Sequence, residues 1–440
     1  MTSNNLFDYG ARSIGAKNSD NIKGLSKKNH SVYIIDYDYL LVPLTGSQAG
    51  YYDWYAAIQA AFDFAKANKA RKIVFPDEPN MYVSNVPTYY SAGAKPIFEG
   101  QGTGVTVLKG LNGKTLMKIS GGSGFMSGLM VRDIGFDPGA GAEALEISGT
   151  CNGGLENLRF YSGKTGIVFH NEKAGEFTEY IVGDKVVFDS ACQQAVRYKK
   201  TNGNESFHGS GIKQFKINQS DTETLPKIQI DEGCFPYNSP LSGVFWARCA
   251  TPLIKNANSV RHATFEGNLK IECFGGAYNG AVADPTATKN VYFAGHILAL
   301  GNQFQLGKRF ILVHRVQVNS DNSITALRKP YSVEGALTTG ANTVDLSTDS
   351  NVTHQLNILI YGNNYEYSYF ARIYRNRTDN NGTLKVLDEQ RIFNNAGYGP
   401  PTLSYLNGSL VIENANFPAT GLQCVITVEP IGGRSPFRLT

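Results

Sequence analysis

Between residues 53 and 84 the chain reads DWYAAIQAAFDFAKANKARKIVFPDEPNMYVS. Ile58, Ala61, Phe62 and Ala65 fall at i, i+3, i+4 and i+7, which makes one apolar stripe on a helix. Asp53 is placed to cap its start, and Lys66, Lys69, Arg71 and Lys72 gather at its end, where the helix dipole favours cations. The pattern predicts a helix over 53–68. The period then drops to that of strands. Ile73-Val74-Phe75 is a strand stopped by Pro76, and Met81-Tyr82-Val83 is another.

Downstream the apolar bursts recur. Val131–Phe136 (VRDIGF) matches Leu155–Phe160 (LENLRF) 24 residues later. Lys185–Phe188 follows after a further 28, and Ile212–Ile217 ends 29 beyond that. Glycine-rich turns separate the bursts, among them Gly121-Gly122 and Gly153-Gly154. Strands recurring at this interval predict a solenoid with one coil per repeat, whereas a sandwich would show hairpins every 8 to 12 residues. A parallel β-helix is expected from about residue 70 to 325. Its first coil would expose unpaired backbone and an open apolar end, and the amphipathic helix is suited to plug it.

The texture changes after Arg328-Lys329-Pro330. Strand patterns at 343–346, 357–361, 369–374, 384–387, 409–412 and 424–428, with turns at 379–382 and 406–408, predict a separate antiparallel β-sandwich over 331–440. The polar, glycine-dotted residues 1–50 suit a lead-in or attachment segment. The expected division is therefore 1–50, 51–330 and 331–440.

Composition agrees with an all-β chain: 47 Gly, 24 Phe and 24 Tyr stand against a charged fraction of 18%. A net charge of +4 without a basic domain argues against nucleic acid as a partner. No run of about 18 apolar residues occurs, so no membrane span is expected, and no classical secretion signal is expected either. The six cysteines form no CxxC and no zinc spacing, and are expected as buried free thiols. No P-loop, GxSxG elbow, HExxH or EF-hand loop is present, and neither a metal nor another cofactor is expected.

The stretch AAIQAAFDFAKANKARKIVFP followed by MYVS resembles the N-terminal cap and first coil of the pectate-lyase-like superfamily. GEFTEY (175–180) and ESFHG (205–209) are similar to paired stretches of phage tail proteins of this type. As a whole the chain resembles bacteriophage tailspike depolymerases, with a lead-in, a capped right-handed parallel β-helix and a C-terminal β-sandwich. The resemblance implies a homotrimer on the virion, joined to phage tail or baseplate proteins through its N-terminus. It further implies an extracellular role, in which the protein binds and depolymerises a bacterial surface polysaccharide (capsule, exopolysaccharide or O-antigen).

Glycan hydrolysis needs two carboxyl groups, about 6.5–9.5 Å apart for inversion or about 5–5.5 Å for retention. Stacked coils lie about 4.8 Å apart, so a β-helix flank serves either geometry. The densest ionisable cluster is His170, Glu172, Glu176, Glu179, Asp184, Asp189, Glu205 and His208. From it Glu176, Glu179, Glu205 and His208 are the catalytic candidates. If Phe177 and Phe207 point into the coil, Glu176 and Tyr180 face outward on one coil, and Ser206 and His208 on the next. A 32-residue offset would make Glu176 and His208 neighbours, and Glu179 and Glu205 would point inward. Tyr180, Arg197, Tyr198 and Trp246 are candidates for substrate binding, with Tyr237 in the same turn-rich half. Arg197 suits an acidic sugar, although a surface ion pair is the ordinary fate of such an arginine. Three alternatives stay open: a lyase with His208 or a tyrosine as base, a non-catalytic receptor-binding tail protein, and a cellular pectate-lyase relative.

Overall fold

The computed structural model describes residues 32–34, residues 40–273 save 70 and 112, residues 281–300, 307 and 309–318, and the later strands named below. Most of the expected 1–50 lead-in and the turn residues 379–381 and 407–408 lie outside the described residues. The chain divides into two compact units, one of residues 1–218 and 227–242, the other of 219–226 and 243–440.

The first unit is a parallel β-solenoid. Val131 pairs with Leu155, Phe136 with Phe160, Phe160 with Phe188, and Phe188 with Ile217, always between parallel strands. These are the partners that the sequence repeat matched. The Phe136, Phe160 and Phe188 rings stack at 5.2 and 4.9 Å, inclined by 11° and 8°, and all three are fully buried. Each coil thus places its aromatic on the one below. Burying such side chains stabilises the stack by about 1.5–3 kcal/mol apiece. Pairing wraps almost without a break around the middle coils, in the runs Thr150–Asn171 and Glu179–Lys200. One register shift lies between Phe160 and Ser162.

The helix spans Tyr55–Ala67, and its buried residues are Ala57, Ile58, Ala61, Phe62 and Ala65. Phe62 meets Phe98, Tyr89 and Phe75 at 5.4, 5.8 and 6.4 Å, so the apolar stripe covers the aromatics of the first coils. Its start differs from expectation. Trp54 takes the N-cap position and makes no side-chain cap bond. Asp53 Oδ1 instead accepts from the N–H groups of Tyr55 and Ser84, tying the helix start to the end of the strand Met81–Val83. The lead-in also contributes structure. Val32–Ile34 pairs in parallel with Lys72–Val74, and Val42–Pro43 is antiparallel to Tyr52–Asp53.

In the second unit Ala263–Cys273, Val291–Leu300 and Phe310–Val318 continue in parallel pairing. Antiparallel pairing begins where Phe310–Val318 meets Ile324–Arg328. Beyond it lies a five-stranded antiparallel sheet in the order Tyr331–Leu337, Leu422–Ile431, Thr353–Gly362, Tyr365–Arg375, Gly382–Asn394. A three-stranded sheet, Gly340–Asp345, Ser409–Asn414, Thr402–Leu406, accompanies it. Both sheets feed one cluster, including Leu356, Ile358 and Ile426 from the first and Leu410, Ile412 and Tyr405 from the second. All six expected C-terminal strands are present.

All six cysteines are free. Cys192, Cys234, Cys249 and Cys424 are buried, while Cys151 and Cys273 are partly exposed. Among the described residues no helix is long and apolar enough to cross a membrane.

Candidate functional site

At one corner of the first unit three successive coils come into register. The N–H of Tyr180 donates to the carbonyl of His208 (2.7 Å), and that of Gly209 to the carbonyl of Tyr237 (3.0 Å). The side chains follow the backbone. Tyr180 and His208 have ring centroids 4.6 Å apart, and His208 stacks on Tyr237 at 4.3 Å with only 10° between planes. Phe235 closes the column against Tyr237 at 4.7 Å. Within it the Tyr180 hydroxyl lies 2.9 Å from His208 Nδ1, and Asn238 Nδ2 lies 3.5 Å from His208 Nε2.

Backbone conformation is committed to this arrangement. Tyr180 has φ +54°, a left-handed conformation that costs a bulky residue of order 1–3 kcal/mol. Gly209 has φ +64°, and a methyl group there would lie 2.6 Å from Tyr180 Cδ1. Only glycine leaves room for the ring.

Glu179 sits beside the column, with its Oε1 accepting from Ser206 Oγ, which in turn lies 3.3 Å from the Tyr237 hydroxyl. Glu205 joins through the backbone, its carbonyl accepting from the Phe235 N–H at 2.7 Å. Burial pushes the Tyr237 phenol above its ordinary range. The negative charges of Glu179 and Glu205 add to it. On the preceding coil burial, then Glu179, pushes the Cys151 thiol up to about 11. Glu179, Glu205, Ser206, His208 and Tyr237 are all partly exposed, and Tyr180 is 44% exposed. Carboxylates, an imidazole and two phenols therefore converge on a reachable surface. Because the rings cover each other's faces, His208 and Tyr237 offer mainly their polar edges.

Four of the predicted residues, Glu179, Tyr180, Glu205 and His208, are brought together here, Tyr180 and His208 facing outward as expected and the two glutamates not as expected. Glu179 and Glu205 do not point into the coil. Glu176 does not face outward. It is fully buried, and its Oε2 accepts from Ser148 Oγ (2.8 Å) and from the N–H groups of Glu172 (3.0 Å) and Lys173 (2.9 Å). Phe177 is partly exposed and lies against Phe125 at 4.0 Å. Side-chain alternation holds inside strands, and residues 172–178 form a corner between two of them, so the phase was lost. The vertical neighbour of His208 is accordingly Tyr180, not Glu176.

His170 and Glu172 belong to a second network. Lys118 Nζ bridges Glu146 (2.9 Å) and Glu172 (2.8 Å), while His170 Nδ1 lies 3.0 Å from Glu146 and its Nε2 2.8 Å from Thr201 Oγ1. Glu146, His170 and Glu172 gather their ligand atoms within 4.8 Å. The Lys118 ammonium already supplies the positive charge between the carboxylates, so the set fits an ion-pair network better than a divalent cation.

Two of the remaining predicted binders, Arg197 and Tyr198, part company with the column. Arg197 is held by Asp231 (2.8 Å) and Glu143 (3.6 Å), the ordinary ion-pair outcome. Tyr198 is 1% exposed, packs on Phe169 and Phe207, and donates its hydroxyl to the Ser210 carbonyl (2.8 Å). Burial pushes its phenol far up. It is a core residue and cannot meet a ligand. Trp246 belongs to the second unit, partly exposed, with its carbonyl accepting from the Gln219 N–H at 2.9 Å.

Sequence reasoning did not assign Ser206 or Asn238, and named Tyr237 only as an aromatic in a turn. The signal was available. Residue 208 lies 28 after 180, and residue 237 lies 29 after 208, both at the repeat interval.

No known protein family and no curated protein matches the chain. Solved structures with a similar fold include ORF18 of Geobacillus virus E2, at 12% identity over 87% of this chain and 82% of that one, TM-score 0.42. WceF of Pantoea stewartii, described as a glycan biofilm modifying enzyme with a tailspike-like parallel β-helix, is 9% identical over 92% and 64%, TM-score 0.37. The tailspike gp49 of Acinetobacter baumannii bacteriophage Fri1, a capsular polysaccharide depolymerase, is 9% identical over 90% and 86%, TM-score 0.29. Phage tailspike proteins, gp49 among them, recur among the solved structures this chain is similar to.

Proposed function

We propose that this chain is a phage tailspike that binds and depolymerises a bacterial surface polysaccharide by endo-acting cleavage. The observation that carries the proposal is the column Tyr180–His208–Tyr237 with Glu179 and Glu205 beside it, partly exposed and held by consecutive parallel coils. Backbone hydrogen bonds between the coils hold these acid–base groups, which must be kept in productive geometry. In hydrolysis one carboxylate attacks the anomeric carbon or activates water, and a second group protonates the leaving oxygen. Glu179 takes the first role and Glu205 the second. Residues 1–50 then serve attachment to the tail or baseplate, 51–330 the catalytic solenoid, and 331–440 a sandwich for trimerisation or sugar binding.

A second reading is β-elimination, favoured by the Tyr180–His208 contact. An elimination site takes a proton next to a uronate carboxylate and must neutralise that carboxylate. The expected neutraliser, Arg197, is already engaged by Asp231 and Glu143. Hydrolysis is therefore preferred.

Purified protein is to be incubated with a panel of capsular and O-antigen polysaccharides, with chain length followed by size-exclusion chromatography. Hydrolysis shortens chains without the ultraviolet absorbance of an unsaturated product, and Glu179→Gln abolishes the shortening. Absorbance that rises with shortening selects elimination. Tight binding with unchanged chain length selects a receptor-binding role and ends the enzymatic proposal.

A further inference from the structure

We propose that Ser206 and Tyr237 are positioning residues that hold the Glu179 carboxyl group oriented, through a hydrogen-bonded chain running across three coils. The inference rests on the proposed role of Glu179 and adds to it.

A serine hydroxyl has one proton to give. Ser206 gives it to Glu179 Oε1, so the Tyr237 hydroxyl, 3.3 Å away, donates into the Ser206 oxygen. The chain therefore has a direction: phenol to hydroxyl to carboxylate. Among the described residues Ser206 is the hydrogen-bond partner of the Glu179 side chain. One oxygen is anchored and the other is left for substrate.

The solenoid fixes both donors. Ser206 bridges to Phe235 in parallel, Phe235 N–H donates to the Glu205 carbonyl (2.7 Å), and Gly209 N–H donates to the Tyr237 carbonyl (3.0 Å). Stacking on His208 and Phe235 confines the Tyr237 ring. A hydrogen bond to the charged form of a carboxyl group favours that form. The titratable groups facing Glu179 and its two donors are Cys151 on the preceding coil, Tyr180 beside it, and Glu205, His208 and Tyr237 on the following coils. Of these, Tyr237 belongs to the donor chain, which reaches Glu179 through the Ser206 hydroxyl. An anchored carboxylate suits attack or water activation, so the second proton-handling role falls to another group.

The full chain, labelled with [13Cδ]glutamate, is to be titrated by NMR, with the Glu179 resonance assigned by its loss in Glu179→Gln. The carboxyl group is expected to titrate at higher pH in Ser206→Ala, at a smaller upward displacement in Tyr237→Phe, and as in the native chain in Ser206→Thr. Unchanged titration in both Ser206→Ala and Tyr237→Phe overturns the proposal. With a polysaccharide that the protein cleaves, Ser206→Ala is expected to lower kcat about tenfold to a hundredfold at little change in KM. The acid limb of the pH–rate profile is expected to move upward with it. A fall in kcat with an unmoved acid limb marks a merely structural role and overturns the proposal. If no polysaccharide is cleaved, the functional proposal falls, and the NMR titration still decides whether Ser206 and Tyr237 position Glu179.

Discussion

The Tyr180 hydroxyl lies 2.9 Å from Nδ1 of His208, although 28 residues of chain separate them. Vertical stacking of coils makes this contact, and a backbone held at φ +54° aims the ring. Tyr180→Phe removes the hydroxyl and keeps the ring. It is expected to melt within about 1 kcal/mol of the native chain while cleavage falls at least about tenfold. Thermal denaturation and chain-length assays on the same preparation check both halves.

Gly209→Ala should be the more damaging change at this corner. The added methyl meets the Tyr180 ring and the backbone is left-handed. A loss of about 1–3 kcal/mol is expected. A lower urea midpoint with an unchanged m-value would show it.

The Lys118–Glu146–His170 network gives a pH dependence. Burial alone would raise the Glu146 carboxyl, but the His170 hydrogen bond and the Lys118 ammonium outweigh it and bring it down to about 2. The folded value lies below the unfolded one, so the stabilisation is whole above about pH 4.5 and is lost as pH falls toward 2. At most about 3 kcal/mol depends on it. Urea midpoints between pH 2 and 6 should fall steeply for the native chain and less steeply for Glu146→Gln.

Tyr198→Phe separates core from site. It strands the Ser210 carbonyl and is expected to cost about 1 kcal/mol in denaturant unfolding. Polysaccharide binding, measured by calorimetry on folded protein, should be unchanged. Weakened binding at full stability would return Tyr198 to the site.

Periodicity made the solenoid legible. Phe136, Phe160, Phe188 and Ile217 were matched as a repeat, and each pairs with the next. The apolar stripe of the helix was equally plain, since Ile58, Ala61, Phe62 and Ala65 are all buried. Only its first turn was misplaced, because Asp53 bonds to Ser84 as well as to Tyr55, a partner 31 residues away.

The site was half legible. Glu179, Tyr180, Glu205 and His208 were singled out, yet the sequence offered Glu176 as the neighbour of His208. Corner lengths set vertical register, and the loop at 172–178 folds back so that Glu176 bonds to Ser148 on the previous coil. Arg197 and Tyr198 show the same limit. Adjacent in sequence, they face opposite sides of one strand, one into an ion pair and the other into the core.

The order of apolar positions alone determined that the middle of this chain would coil, because burying a side chain on every other residue of repeated strands leaves few other solutions. Which polar groups meet was decided only in three dimensions. A hydrogen bond or an ion pair is settled within fractions of an ångström, and the corners that set those distances carry no period to read.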